Sequence, residues 1–166
     1  IDPLSWAKKV EEFGAGEIVI TSVNNEGLKK GFDIPLTKKI VEKVSIPVIA
    51  HGGAGNLKQI YDVISSIGSM MDGLKIKLLV GGTSVSDDAN ELRNNVPHVI
   101  VGSVGRVSDM IRRRNIQTKD IKLFVLDEAD EMLSGGFIEN IRELFSTFKE
   151  DIQTAIFSAT LPREIL

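Results

Sequence analysis

The sequence predicts a layered α/β protein: an open parallel sheet of six strands, with helices on both faces, folded as a single domain. Three observations carry that expectation. Short apolar runs at 17–22, 46–50, 76–80, 98–101, 123–126 and 154–157 are rich in Ile, Val and Leu and do not alternate, as strands buried on both faces of a parallel sheet read. Amphipathic helical patterns lie between these runs, so strand and helix alternate, which calls for right-handed crossovers. The chain has 166 residues, the size of one domain. A chain of that length buries roughly 70% of the surface its unfolded form exposes, so it needs no metal or disulfide staple.

The elements follow in order. Asp2 and Pro3 open a first helix that Gly14 stops, with Trp6, Val10 and Phe13 on one face. The run 17–22 is the first strand. Asp33 and Pro35 open a second helix with a stripe of Leu36, Ile40, Val41 and Val44, and the run 46–50 is the second strand. A third helix carries Leu57, Ile60, Tyr61, Ile64 and Ile67 and ends at Gly68. Shorter helical patterns at 89–92 and 107–111 separate the strands at 76–80, 98–101 and 123–126. A last helix places Phe137, Ile141, Leu144, Phe145 and Phe148 on one face before the strand at 154–157.

Composition excludes several function classes. Hydrophobic residues make up 42% and charged residues 26%, the balance of a globular protein rather than a disordered one. A net charge of −3 and a pI near 5.5 argue against a broad electrostatic grip on nucleic acid. No apolar run reaches the ~20 residues of a membrane span, and no signal-peptide pattern opens the sequence. Cysteine is absent, which excludes disulfides and thiolate metal sites and is compatible with a cytosolic origin. His51 and His98 are the only imidazoles, too few for a multi-histidine centre. His51 is expected to hydrogen-bond within its loop and His98 to open a strand. Basic residue usage changes along the chain: residues 1–60 carry eight lysines and no arginine, residues 61–166 five lysines and seven arginines.

The first stretch, "WAKKVEEFGAGEIVITSVNNEGLKKGFDIPLTKKIVEKVSIPVIAHGGAGNLKQI", resembles part of the cyclase subunit of imidazole-glycerol-phosphate synthase, a (β/α)8-barrel enzyme. The "AHGG" and "NEG" spellings are similar to relatives of that subunit in surface-polysaccharide pathways. The resemblance implies that the loop with Gly52, Gly53 and Gly55 offers backbone amides to a substrate phosphate, aided by the dipole of a helix opening at Asn56. A tight turn is the alternative, because the partner loop of that phosphate site is missing. Glu26 takes the place of a catalytic acid, usually aspartate. With the second acid of that family absent, two-carboxylate chemistry is not expected of it.

The remainder resembles a different family. "IKLLVGGTSVSDDANELRNNVPHVIVGSVGRVSDMIRRRNIQTKDIKLFVLDEADEML", followed by "FSAT", is similar to the first RecA-like domain of a DEAD-box RNA helicase, close to the translation-initiation type. Gly81 and Gly82 match its paired-glycine motif. Residues 103–106 match its threonine-proline-glycine-arginine motif, with Ser103 and Val104 as departures. Residues 127–130 match the namesake motif and 158–160 the serine-alanine-threonine motif. The resemblance implies RNA contacts at Gly81, Gly82 and Arg106, with the cluster 112–114 either a further contact or a solvated face. It also implies that Asp127 positions magnesium, Glu128 activates water, and Asp130 shares their site. Ser158 and Thr160 would couple nucleotide state to RNA binding beside a second domain, and otherwise Thr160 is a helix cap before Leu161 and Pro162. The chemistry at Asp127 and Glu128 depends on a phosphate loop G-x-x-x-x-G-K-[S/T], and none of the fifteen glycines begins a Gly-Lys-Ser/Thr run.

Together the resemblances imply a chimera, engineered or recombined: a barrel-derived segment over 1–60, joined within the helix at 57–67 to a helicase-derived segment over 61–166. The barrel strands at 17–22 and 46–50 would stand where two helicase strands precede the strand at 76–80, within a RecA-like or flavodoxin-like sandwich. The leading expectation is a protein with no intact native active site, no enzymatic activity, no cofactor, no metal and no specific partner. Weak phosphate or nucleotide binding, and RNA binding without ATP hydrolysis, are the alternatives. A sheet of mixed parentage can also leave an apolar face or edge uncovered, so a homo-oligomer or strand-exchanged dimer is a further expectation.

Overall fold

A computed structural model describes residues 2–134 and 136–160. Strand and helix alternate along the chain: α1 (Pro3–Glu12), β1 (Ile18–Thr21), α2 (Ile34–Val41), β2 (Val48–His51), α3 (Leu57–Ile67), β3 (Ile76–Leu79), α4 (Val85–Asn94), β4 (Val99–Gly102), α5 (Val104–Arg112), β5 (Leu123–Leu126), α6 (Ala129–Ser134), α7 (Ile138–Phe145) and β6 (Gln153–Ile156). Helix starts follow local chemistry. The side chains of Asp2, Asp33, Asn56 and Ser84 accept the N–H groups of Ser5, Leu36, Gln59 and Asp87, satisfying amides that the helix itself leaves unpaired. α1 ends before Gly14, whose φ of +93° is the left-handed stop that glycine takes without strain. The stretch 57–67 forms α3.

The sheet differs from expectation. Instead of one six-stranded sheet, the described residues form three two-stranded sheets, β1-β2, β3-β4 and β5-β6. β1 and β2 run parallel, with Val19 opposite Ile49, and so do β5 and β6, with Val125 opposite Ala155. Each strand is four residues long, and β1, β2 and β5 alternate in burial, so Val19 (56% exposed) and Ile49 (42%) face away from their core. The physical reason is that helices cover one face of these pairs. An uninterrupted apolar run is compatible with two buried faces but does not require them, and the pairing partner of a strand is a non-local property.

By their internal packing the residues fall into two compact units, one reaching to Leu78 and including Pro97–Val101, the other made of Leu79–Val96 and the residues from Gly102 on. In the first, Ala7 of α1, Ile20 of β1 and Ile40 of α2 form the buried centre, with Leu4, Ile18, Leu36, Val44 and Val48 packed around it. This corrects the reading of α1: Trp6 (48% exposed) and Phe13 (73%) lie on its outer side. There the Lys9 ammonium stands 5.8 Å from the Trp6 ring and 5.6 Å from the Phe13 ring, a cation–π arrangement. Helical spacing identifies a stripe, but the side that packs is the one with Leu4 and the small Ala7. In the second unit, Leu126, Ala129 and Ile141 are the centre. Phe124 meets Phe145 edge-on at 4.9 Å and Phe148 at 5.4 Å. Phe137, expected on that core face, is instead the exposed cap residue of α7. The helix α6 was not anticipated, although Ala129, Met132 and Leu133 carry its spacing.

One tie in the first unit is sensitive to acid. Glu11 of α1 pairs with Lys8 and also accepts the Ser45 N–H at 2.6 Å, holding α1 to the segment before β2. The Lys8 hydrogen bond, then that amide, hold the Glu11 carboxyl below the ordinary glutamate range. A depressed folded-state pKa contributes stability that is full above the unfolded value and lost as pH falls through the folded one. The urea midpoint is therefore expected to fall on acidification below the ordinary glutamate pKa. Glu11→Gln should flatten that fall, and an unchanged pH profile in the variant would show that the tie is not made.

Candidate functional site

The residues singled out in the second half of the sequence follow directly on strands: Gly81 and Gly82 come after β3, residues 103–106 after β4 and residues 127–130 after β5. A cleft of about 390 Å³ is lined by Gly81, Ser103, Val104, Gly105, Arg106, Asp109, Met132 and Phe137. It thus unites the paired-glycine motif with the 103–106 motif. Gly82 turns beside it at φ +84°, with open space where a side chain would be. Gly102 serves a close approach at the end of β4: a Cβ there would fall 2.7 Å from the Leu79 carbonyl oxygen and 2.7 Å from the Val107 side chain.

The Arg106 side chain is held inward. Its guanidinium pairs with Asp88 and donates to Thr83 Oγ1 at 2.9 Å and to the Thr83 carbonyl at 2.8 Å. Thr83 Oγ1 in turn donates to Asp88 at 3.1 Å. The side chains of Arg106 and Asp88 are 9% and 6% exposed, so the charge pair is nearly dry. Asp88 was not picked out from sequence. Its signal was an acid in the stripe Asp88, Ala89, Leu92 that α4 buries, a position acids occupy only when paired. The arginines at 112 and 113 also have acidic neighbours: Arg112 lies 4.0 Å from Glu143, and Arg113 Nε is 2.9 Å from Asp109.

Asp127 and Glu128 are exposed at the end of β5. Glu128 has φ 51°, a left-handed conformation that is strained for a side-chain-bearing residue and tends to mark functional turns. Its N–H is held by Asp127 Oδ1 at 3.0 Å. Asp130 reaches the chain after β6 instead: its carboxylate accepts the Thr160 hydroxyl at 2.6 Å and the Thr160 N–H at 3.1 Å, and its own N–H donates to Ser158 Oγ at 3.1 Å. The Thr160 hydroxyl first, then Ser158 and nearby amides, hold its carboxyl below the ordinary aspartate range against partial burial. Two motifs far apart in sequence are thereby locked together. The expected capping of a helix at Leu161 and Pro162 lies outside the described residues.

In the first unit the glycine loop after β2 is closed by its neighbours. Gly31 N–H donates to the Gly53 carbonyl at 2.7 Å, and Gly55 N–H donates to Gln59 Oε1 at 2.7 Å. A Cβ on Gly52 would fall 1.6 Å from Glu26 Oε2, on Gly53 2.5 Å from the Gly31 oxygen, and on Gly55 2.5 Å from Lys29 Cβ. The glycines permit one loop to lie against another, and the carboxylate beside Gly52 opposes an anion. His51 bonds across the sheet, its Nδ1 lying 3.1 Å from Thr21 Oγ1, and His98 Nδ1 accepts the Lys75 N–H at 3.0 Å as β4 begins.

The Histidine biosynthesis protein family model matches residues 1–74, and the DEAD/DEAH box helicase model matches residues 57–166. Eukaryotic initiation factor 4A of Caenorhabditis elegans is 48% identical over 109 residues, which are 66% of this chain and 27% of that protein. The ATP-dependent RNA helicase eIF4A of Aspergillus niger is 46% identical over 152 residues, 90% of this chain and 38% of that one. Among solved structures, a hypothetical ATP-dependent RNA helicase from Sulfolobus tokodaii superposes with a TM-score of 0.58 at 25% identity, covering 97% of this chain and 39% of that one. S. cerevisiae Dbp5 bound to RNA and ADP BeF3 gives 0.56 at 31% identity, over 66% and 27%. The chain spans between roughly a quarter and two fifths of the length of these relatives. The fold is that of the RecA-like helicases. With the helicase model matched over residues 57–166, the chain belongs to the DEAD/DEAH box helicase family.

Proposed function

We propose that this chain is a recombined α/β protein, in which a βαβ segment of histidine-biosynthesis type stands in front of a DEAD-box segment, and that it hydrolyses no ATP. The observation that carries the reading is that two unrelated family matches, over 1–74 and 57–166, overlap across α3 and the residues just after it. The superposition on the Sulfolobus tokodaii helicase over 97% of the chain supports the idea that the front segment takes the place of helicase strands. Right-handed βαβ pieces of similar spacing are interchangeable in that way.

The residues present do not fit a magnesium nucleotide. The sequence has no Gly-Lys-Ser/Thr run to cradle phosphates. Among the described residues no three acidic or imidazole side chains converge as a metal site. Asp130, one of the namesake carboxylates, is engaged with Thr160. The purified chain is expected to release no phosphate from ATP above background, with or without RNA, and Glu128→Gln should change nothing. Turnover that Glu128→Gln abolishes would overturn the proposal.

A second reading, RNA binding without hydrolysis, is favoured by the cleft that joins Gly81, Ser103 and Arg106 beside the exposed Phe137 ring. Binding of a single-stranded oligonucleotide that weakens steeply with salt would support it.

A further inference from the structure

We infer that a second cleft of the helicase-like unit, between α4 and the end of α5, is a binding site for a phosphate group. It has a volume of about 520 Å³ and is lined by Val85, Ser86, Ala89, Arg93, Arg113 and Asn115. None of the sequence motifs falls on Arg93 or Asn115, and the site stands whether or not the chain hydrolyses ATP.

Two guanidinium groups share this cleft. Arg93 is held by neutral partners: NH1 donates to Asn115 Oδ1 at 3.0 Å and NH2 to Asn90 Oδ1 at 2.5 Å. Amide oxygens orient the guanidinium without cancelling its charge. Arg113 donates through Nε to both Asp109 oxygens at 2.9 Å, which fixes the side chain by one edge. A planar, pre-oriented fork is the group best matched to phosphate oxygens.

The backbone places the third polar group. Arg114 takes φ 59°, a left-handed conformation that ordinary residues rarely adopt. The Arg114 N–H donates to the Ile111 carbonyl at 2.8 Å and the Asn115 N–H to that of Met110 at 2.9 Å. This turn brings the Asn115 amide against Arg93. The Asp109 carboxylate offsets the charge of Arg113, so the attraction of this cleft for an oxyanion comes chiefly from Arg93, which is held by neutral amides. Val85 and Ala89 form the apolar part of the lining, and the Ser86 hydroxyl is the remaining polar group. The phosphate can belong to a free anion or to the phosphodiester of an oligonucleotide.

The test is an amide-detected NMR titration of the whole chain at constant ionic strength, with inorganic phosphate in one arm and a short oligouridylate in the other. Shifts centred on the amides of Ser86, Arg93, Arg113 and Asn115 are expected in at least one arm, and the arm that gives them identifies the source. Arg93→Gln should weaken that binding at least ~10-fold, as expected for the loss of one charge-assisted bidentate contact. Ser86→Asp should also abolish it while leaving the melting temperature equal or higher, because an acid in the first turn of α4 suits the helix dipole. Absence of shifts at these amides in both arms, or unchanged affinity in both variants, would overturn the inference.

Discussion

Arg106→Met is expected to destabilise the protein by about 3–5 kcal/mol, the cost of removing one partner of a buried ion pair. At this chain length that corresponds to a fall of roughly 6–20 °C in Tm. The cause is Asp88, which would be left charged and almost fully enclosed without its guanidinium partner. The double variant Arg106→Met/Asp88→Leu should recover most of the loss, because replacing both charges by apolar side chains removes the desolvation penalty as well. Thermal melts of the two variants check this. If Arg106→Met melts like the parent protein, Arg106 is not held inward by Asp88.

Gly53→Ala should cost roughly 2–5 kcal/mol. Gly53 has φ +82°, where an ordinary residue is strained by about 1–2 kcal/mol. Its new Cβ would also meet the Gly31 carbonyl oxygen at 2.5 Å, a backbone atom that cannot rotate away; overpacking of this kind adds about 1–3 kcal/mol. Gly52→Ala is the matched control. Its φ of +79° is nearly the same, but the atom in the way is the end of the Glu26 side chain, which can swing aside. Urea denaturation should therefore rank Gly53→Ala well below Gly52→Ala. Equal midpoints would mean that the two loops do not touch, and would revive the glycine loop as an anion cradle.

The alternation of elements was legible in the sequence because it is local. Asp2, Asp33 and Asn56 announce helix starts, and runs of Ile, Val and Leu announce strands. Sheet order was not legible, since nothing in Val19 or Ile49 states whether a second layer covers them. The outward position of Trp6 and Phe13 was missed for a related reason: a helical stripe can be drawn through them as well as through Leu4 and Ala7, and only tertiary packing chooses. At the site, the motif residues were legible by resemblance, and the structure places Gly81, Ser103 and Arg106 around one cleft. The partners that change their meaning were hidden. Asp88 captures Arg106, Thr160 captures Asp130, and Glu26 stands against Gly52 from 26 positions upstream, pairings that no spacing rule announces.

The placement of Trp6 has an optical consequence. The chain has one tryptophan and one tyrosine, and Trp6 and Tyr61 both belong to the first compact unit. Indole emission, tuned by the nearby Lys9 ammonium, is thus a private reporter of that unit. Far-ultraviolet dichroism sums the helices of both. Recording the two signals through one heating ramp separates concerted from sequential melting: superimposable curves identify a single cooperative transition, and an emission change that precedes the dichroism change identifies the first unit as the one that lets go first.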